Sequence, residues 1–284
     1  MSTPAAPATT RDDRAELLAL VTAATAELVR QWRRLTAAQD TLLRALQRLR
    51  SGRGSTTRIR ALVNEFNQQV GEFDRLARAV AERWAGQDLP VAYRDGALRA
   101  LRQAGADIAL FRWTSDHQAA LTALTATFYV DLVQRIQEAV RRAQAFARAA
   151  QQATRDVTLG RNHAGLDAAR LAADHPLGTV IYRNQARHPV PSWARSALTW
   201  QGVITANHAA INTARLELDA QWMQIRDGSE CGWVSHQDTD HADGTIRSID
   251  DCAAYPAAHH GCVRELIPRP DLNNIRGLVS GDPV

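Results

Sequence analysis

Apolar residues recur at steps of three, four and seven residues through most of the first 222 positions of this 284-residue chain. That spacing places them on one side of an α-helix, and no clear alternation typical of a strand precedes residue 227. The cleanest stripe consists of Leu62, Phe66, Val70, Phe73, Leu76, Val80 and Trp84. The sequence therefore predicts a mainly α fold, an elongated helical bundle that ends in a small irregular or β C-terminal cap.

Glycine, proline and serine mark the expected ends of these helices. The first helix starts at Asp12 and stops at the Ser/Gly-rich residues 51–55, and the second stops at residues 86–90. Further helices are expected over about 91–110, 117–153, 164–174 and 193–222. The sequence thus predicts five consecutive segments: a disordered tail (1–10), an arginine-rich helical body (11–155), a connecting region with the last long helix (156–226), a Cys/His-containing motif (227–270) and a tail (271–284).

All 34 basic residues are arginine, and their distribution along the chain is uneven. Residues 227–284 contain ten acidic residues and four arginines, a net charge of −6, so that the first 226 residues carry +10. Arginine forks suit bidentate contacts with phosphate or carboxylate, and they also cover solvated helix faces. A basic body therefore precedes an acidic tail.

The acidic part also contains all three cysteines, an odd number that argues against a disulfide framework. Thiol and imidazole groups cluster at both ends of a span of about thirty residues, as at a tetrahedral zinc site. The candidate ligands are Cys231, His236, His259 and Cys262, with His241, Cys252 and His260 as alternates. This spacing predicts a structural Zn²⁺ as the candidate cofactor, and the alternative is a small cap whose thiols pack as hydrophobes.

The same region contains a recognisable order of residues: Trp222, then Cys231-Gly232-Trp233, the Asp243-Gly244 turn, His259 and Cys262, and finally Pro268. This order resembles the C-terminal motif of phage minor head proteins, the Mu F-like head morphogenesis family, in the form carried by actinobacterial phages and prophages. Two positions depart from the motif, because Val234 stands where a second cysteine would be and Arg264 where the last one would be.

The resemblance covers about residues 193–270 and implies a non-enzymatic structural protein. Such a minor capsid protein is present in few copies in the virion, in the head interior or near the portal, and in the host cytoplasm during assembly. Its implied partners are the portal protein, the major capsid protein and packaged double-stranded DNA, and its implied role is head assembly, DNA packaging or ejection. No apolar run reaches the length of a membrane span, so no membrane partner is expected.

The alternative hypothesis is a metal-dependent HNH-like nuclease that uses the C-terminal Cys/His cluster, with Asp240-His241 as its base. The residues after His241 are Ala-Asp-Gly, which differ from the proline-bearing strand of such sites. The chain also contains no nucleophile elbow and no glycine-rich phosphate loop. The sequence therefore predicts no catalytic residues.

Overall fold

A computed structural model describes residues 12–50, 54–160, 167–182, 184–227 and 241–283 of the chain. Its helices are α1 (Asp12–Arg50), α2 (Thr56–Arg83), α3 (Leu89–Gln103), α4 (Ser115–Thr158), α5 (Ala168–Asp174), α6 (Val190–Leu216) and α7 (Ile249–Ala254). Its strands are β1 (Thr179–Ile181), β2 (Arg187–Pro189), β3 (Trp222–Arg226), β4 (Ile246–Ser248) and β5 (Glu265–Pro268). The predicted mainly helical fold with a small β region near the C-terminus is confirmed.

The chain forms two compact units from interleaved segments, whereas the sequence predicted consecutive ones. The basic unit, Thr25–Glu82 and Tyr129–Ala194, has 20 arginines and 11 acidic residues in its sequence, a net charge of +9. The sheet unit, Met1–Ala24, Arg83–Phe128 and Arg195–Val284, has 14 arginines and 19 acidic residues, a net charge of −5. The charge division seen along the sequence is therefore also a division between folded units.

The core of the basic unit contains a set of aromatic contacts, in which Phe66 and Phe73 come from the predicted stripe of α2. The ring of Trp32 lies 4.7 Å from that of Phe73 in an edge contact and 5.6 Å from that of Trp193. Phe66 on α2 meets Phe146 on α4 with ring centroids 5.2 Å apart. Edge-to-face contacts of this kind stabilise aromatic pairs beyond the apolar area that they bury. The i, i+7 spacing of Phe66 and Phe73 thus sets the face that α2 buries.

The predicted break at residues 86–90 is wrong, because the helix continues through it. Residues Trp84–Asp88 form one π-helical turn, in which the Leu89 amide donates to the Trp84 carbonyl, and α3 follows directly. The wider turn accommodates Pro90, which lies in the first turn of α3, where a missing N–H is tolerated. The predicted helix over 91–110 therefore begins earlier, at Leu89, and ends at Gln103.

The sheet of the sheet unit is antiparallel with the order β4-β3-β5. Met223 pairs with Arg247 on one side and with Pro268 on the other. The chain end extends this sheet, because the Ile246 amide donates to the Asp282 carbonyl at 2.8 Å and the Gly281 amide to the Ile246 carbonyl at 2.8 Å. Residues 281–283 thus cover the outer edge of β4.

Two sequence predictions about strands are wrong. Trp222 opens β3 instead of closing the last helix, since α6 ends at Leu216 and the backbone turns at Asp219 with a φ of 46°. The short hairpin β1–β2 also precedes residue 227. Strands of three to five residues hold too few alternations to stand out beside long helical stripes.

Candidate functional site

Two of the four predicted zinc ligands lie within the described residues, and two lie outside them. Cys231 and His236 lie outside the described residues. Cys262 is 2% exposed and packs with Val203 and Ile204 in an apolar cluster. His259 lies nearby in sequence, and its Nδ1 is 3.2 Å from the carbonyl oxygen of the next residue.

The three alternate ligands each have different surroundings. Cys252 is 1% exposed and belongs to a separate apolar cluster with Met223. His260 places its ring 4.6 Å from that of Trp200, and His241 is exposed with a φ of 43°. Within the described part of the chain, no three His, Cys, Asp or Glu side chains are grouped so that they could hold a metal ion. These residues therefore supply no complete donor set, and the zinc site stays a prediction.

Trp222, the Asp243-Gly244 turn and Pro268 of the C-terminal motif lie on or beside the sheet, whereas Gly232 and Trp233 lie outside the described residues. Trp222 opens β3 and Pro268 closes β5, and the Arg269 amide donates to the Trp222 carbonyl at 2.9 Å. Between them, Gly244 has a φ of 74°, which glycine adopts without strain, and its amide donates to the Ile225 carbonyl. The motif therefore marks the two ends and the turn of one small β module.

A buried ion pair joins the end of β3 to the start of β5. The Nε and Nη2 atoms of Arg264 donate to the two carboxylate oxygens of Asp227 at 2.8 and 2.7 Å. The two side chains are 2% and 1% exposed, and Arg264 Nη1 donates to the Tyr255 carbonyl at 3.0 Å. This bidentate geometry is the strong form of an arginine–carboxylate contact. Arg264 stands where the motif would have a cysteine, so an ion pair crosslinks the module at that position.

A second charged cluster centres on the Glu265 carboxylate, which is 4% exposed. Arg14, Arg99 and Arg226 place guanidinium nitrogens 3.6, 3.4 and 3.3 Å from its oxygens. Gln103 donates to Glu265 Oε1 at 2.7 Å. Beside the cluster lies a cavity of about 10 Å³, the size of one water molecule. The cluster ties α1, α3 and β3 to β5, which is a structural role.

A third polar network lies between α3, α4 and the end of α6. The hydroxyl of Tyr93 is 2.9 Å from His117 Nδ1, and His117 Nε2 is 3.0 Å from Glu217 Oε1. Asn212 donates to the Tyr93 hydroxyl at 2.9 Å, and burial raises the pKa of Tyr93 to about 12. Both Tyr93 and His117 are 0% exposed. This Tyr–His–Glu chain resembles a catalytic relay in composition, and its buried tyrosine and histidine connect α3, α4 and the segment after α6.

Sequence reasoning missed these three networks as sites. Asp227 and Arg264 are 37 residues apart, and His117 and Glu217 are 100 residues apart. Only the departure of Arg264 from the motif pointed to any of them. Pairings over such distances depend on tertiary structure, which one sequence does not display.

No protein-family model matches the chain, and neither the curated proteins nor the solved structures contain a significant match. None of the helices in the described part of the chain combines the length and the apolar character that a membrane span requires.

Proposed function

We propose that the protein is a non-enzymatic structural protein of a phage head, a minor capsid or head morphogenesis protein. It associates with the portal and the capsid interior and acts in head assembly or in DNA packaging and ejection. The observation that carries this proposal is that Trp222 and Pro268 lie on adjacent strands of one small sheet and that the Asp243-Gly244 turn is hydrogen-bonded to the same sheet. Three parts of the motif are thus close together in the described residues, which supports the proposal.

The chemistry of the buried networks supports a structural role over a catalytic one. Catalytic groups must reach a substrate atom within hydrogen-bond distance. The His117 ring and the Arg264–Asp227 pair are enclosed, and both connect secondary-structure elements to each other. Each is used to hold the sheet unit together.

The division of charge supports contact with two kinds of partner. The sheet unit has a net charge of −5 and the basic unit a net charge of +9. Charged surfaces of opposite sign select different partners and speed encounter with them. We assign protein contacts with the portal and major capsid protein to the sheet unit, and contact with packaged DNA to the basic unit.

Association with the portal tests this proposal. The chain and the portal protein of the same genome would be produced together, with an affinity tag on the portal. We expect the two proteins to co-purify. Failure of the wild-type chain to bind either the portal alone or assembled procapsids would overturn the proposal.

A further inference from the structure

Two neighbouring clefts on the basic unit are lined by exposed arginines. The first, of about 720 Å³, lies where α1 ends and α2 begins, and Arg44, Arg48 and Arg58 line it. The second, of about 410 Å³, lies between α2 and α4, and Arg60 and Arg155 line it. Ile59, which is 1% exposed, belongs to both linings, so the two clefts adjoin at the start of α2.

The rest of the lining in the described residues is neutral. It contains no aspartate or glutamate, and its polar members are Thr41, Ser55, Asn64, Gln151 and Thr154. Arg44 Nη2 donates to the Thr41 hydroxyl at 3.1 Å, which holds that guanidinium along α1. Hydroxyl and amide groups beside guanidinium groups are the set of donors that bind phosphate oxygens.

The spacing of these arginines fits an extended polyanion better than a single phosphate. Arg44 and Arg48 are one helical turn apart, about 6 Å along the axis of α1, and the other three arginines lie on α2 and α4. A DNA duplex presents about one negative charge per 1.7 Å of its length, so each guanidinium can meet a different phosphate. A single phosphate group would satisfy only one or two of the five.

We propose that these two clefts, which we call the arginine clefts, bind the phosphate backbone of double-stranded DNA without regard to sequence. The choice of a DNA duplex as the ligand rests on the proposed function, since a head protein meets packaged duplex DNA. The binding is electrostatic, with arginine forks on phosphate oxygens and release of the counterions that the DNA holds.

The test compares two full-length variants that lose the same charge. The cleft variant is Arg44→Gln/Arg48→Gln/Arg58→Gln. The control variant is Arg33→Gln/Arg75→Gln/Arg148→Gln, three exposed arginines of the same unit that line neither cleft. Binding to a short fluorescein-labelled duplex is measured by fluorescence anisotropy over a series of salt concentrations, and circular dichroism confirms that both variants remain helical.

We expect the cleft variant to bind the duplex about tenfold or more weakly than the wild type, with the slope of log K against log salt shallower by about 2.7 for three lost phosphate contacts. The control variant should lose less affinity and keep the slope. Equal losses in both variants, no binding by the wild type, or tighter binding of single-stranded RNA than of the duplex would each overturn the proposal. After any of these results, the proposed function would still be tested separately by the portal co-purification experiment.

Discussion

Replacement of Arg264 by methionine is the sharpest perturbation of the sheet unit. Methionine fills a similar volume but leaves the Asp227 carboxylate buried without its bidentate partner. Breaking a buried pair by removing one partner costs about 3–5 kcal/mol, because an uncompensated charge then stays in the interior. The Tyr255 carbonyl loses its donor as well.

The effect is measured locally through the buried thiol of Cys262, whose Sγ lies 4.0 Å from the Asp227 carboxylate. In a background with Cys231 and Cys252 replaced by alanine, a thiol reagent labels Cys262 only when the module opens. A loss of 3 kcal/mol or more raises the open fraction, and with it the labelling rate, about a hundredfold or more. Urea unfolding followed by fluorescence gives the corresponding change in midpoint.

Two further variants complete this experiment. Arg276→Met changes the same residue type at an exposed position and should leave the labelling rate unchanged. The double variant Arg264→Met/Asp227→Leu removes both charges and should recover most of the lost stability, since an apolar pair of similar volume is often as stable as the ion pair. If Arg264→Met labels at the wild-type rate, the reasoning that the ion pair crosslinks the module is refuted.

Burial raises the pKa of Tyr93 from 10 to about 12. The protonated tyrosine therefore contributes about 2–3 kcal/mol to the free energy of unfolding below pH 10, and this contribution is lost as the pH rises from 10 to 12. In urea unfolding, the stability of the wild type should fall over this pH range and that of Tyr93→Phe should not. Gly96→Ala would place a methyl carbon 2.8 Å from the Ala206 Cα and should lower stability by about 2 kcal/mol in thermal melts, whereas Gly86→Ala, whose added carbon would meet nothing within 4 Å, should not. Elemental analysis tests the zinc prediction: about one zinc per chain that is lost in Cys262→Ser would support it, and metal-free protein would refute it. A plasmid-nicking assay with added divalent metal should show no cleavage, and nicking that Asp240→Ala abolishes would favour the nuclease alternative.

The long helices could be predicted because each repeats its apolar period many times. The stripe through Phe66, Val70 and Phe73 predicts both the existence of α2 and the face that it buries. The end of α3 was harder to place, because Ile108–Leu110 continues the apolar pattern in a short 3₁₀ turn after Gly105, whose φ is 70°. The apolar period alone does not distinguish a continuing α-helix from a helix that is followed by a 3₁₀ turn.

The sheet and the candidate site were less predictable for a different reason. The pattern of β3 is present in the sequence as buried Met223 and Ile225 with half-buried neighbours, but five residues are too few to outweigh a preceding helix. The ion pair of Asp227 and Arg264 has no local signature, because its members meet only once β3 and β5 have paired. The predicted segment 227–270 therefore contains Asp227 and Arg264, but sequence analysis did not predict the contact between them.

We propose that the chain is a structural protein of a phage head. Quantitative mass spectrometry of gradient-purified virions from a host that carries the gene of this chain tests this proposal most directly. We predict that its peptides are present in every preparation, at a small and constant ratio to the major capsid protein. Detection of the chain in the infected-cell lysate, together with its absence from purified virions and procapsids, would contradict the account.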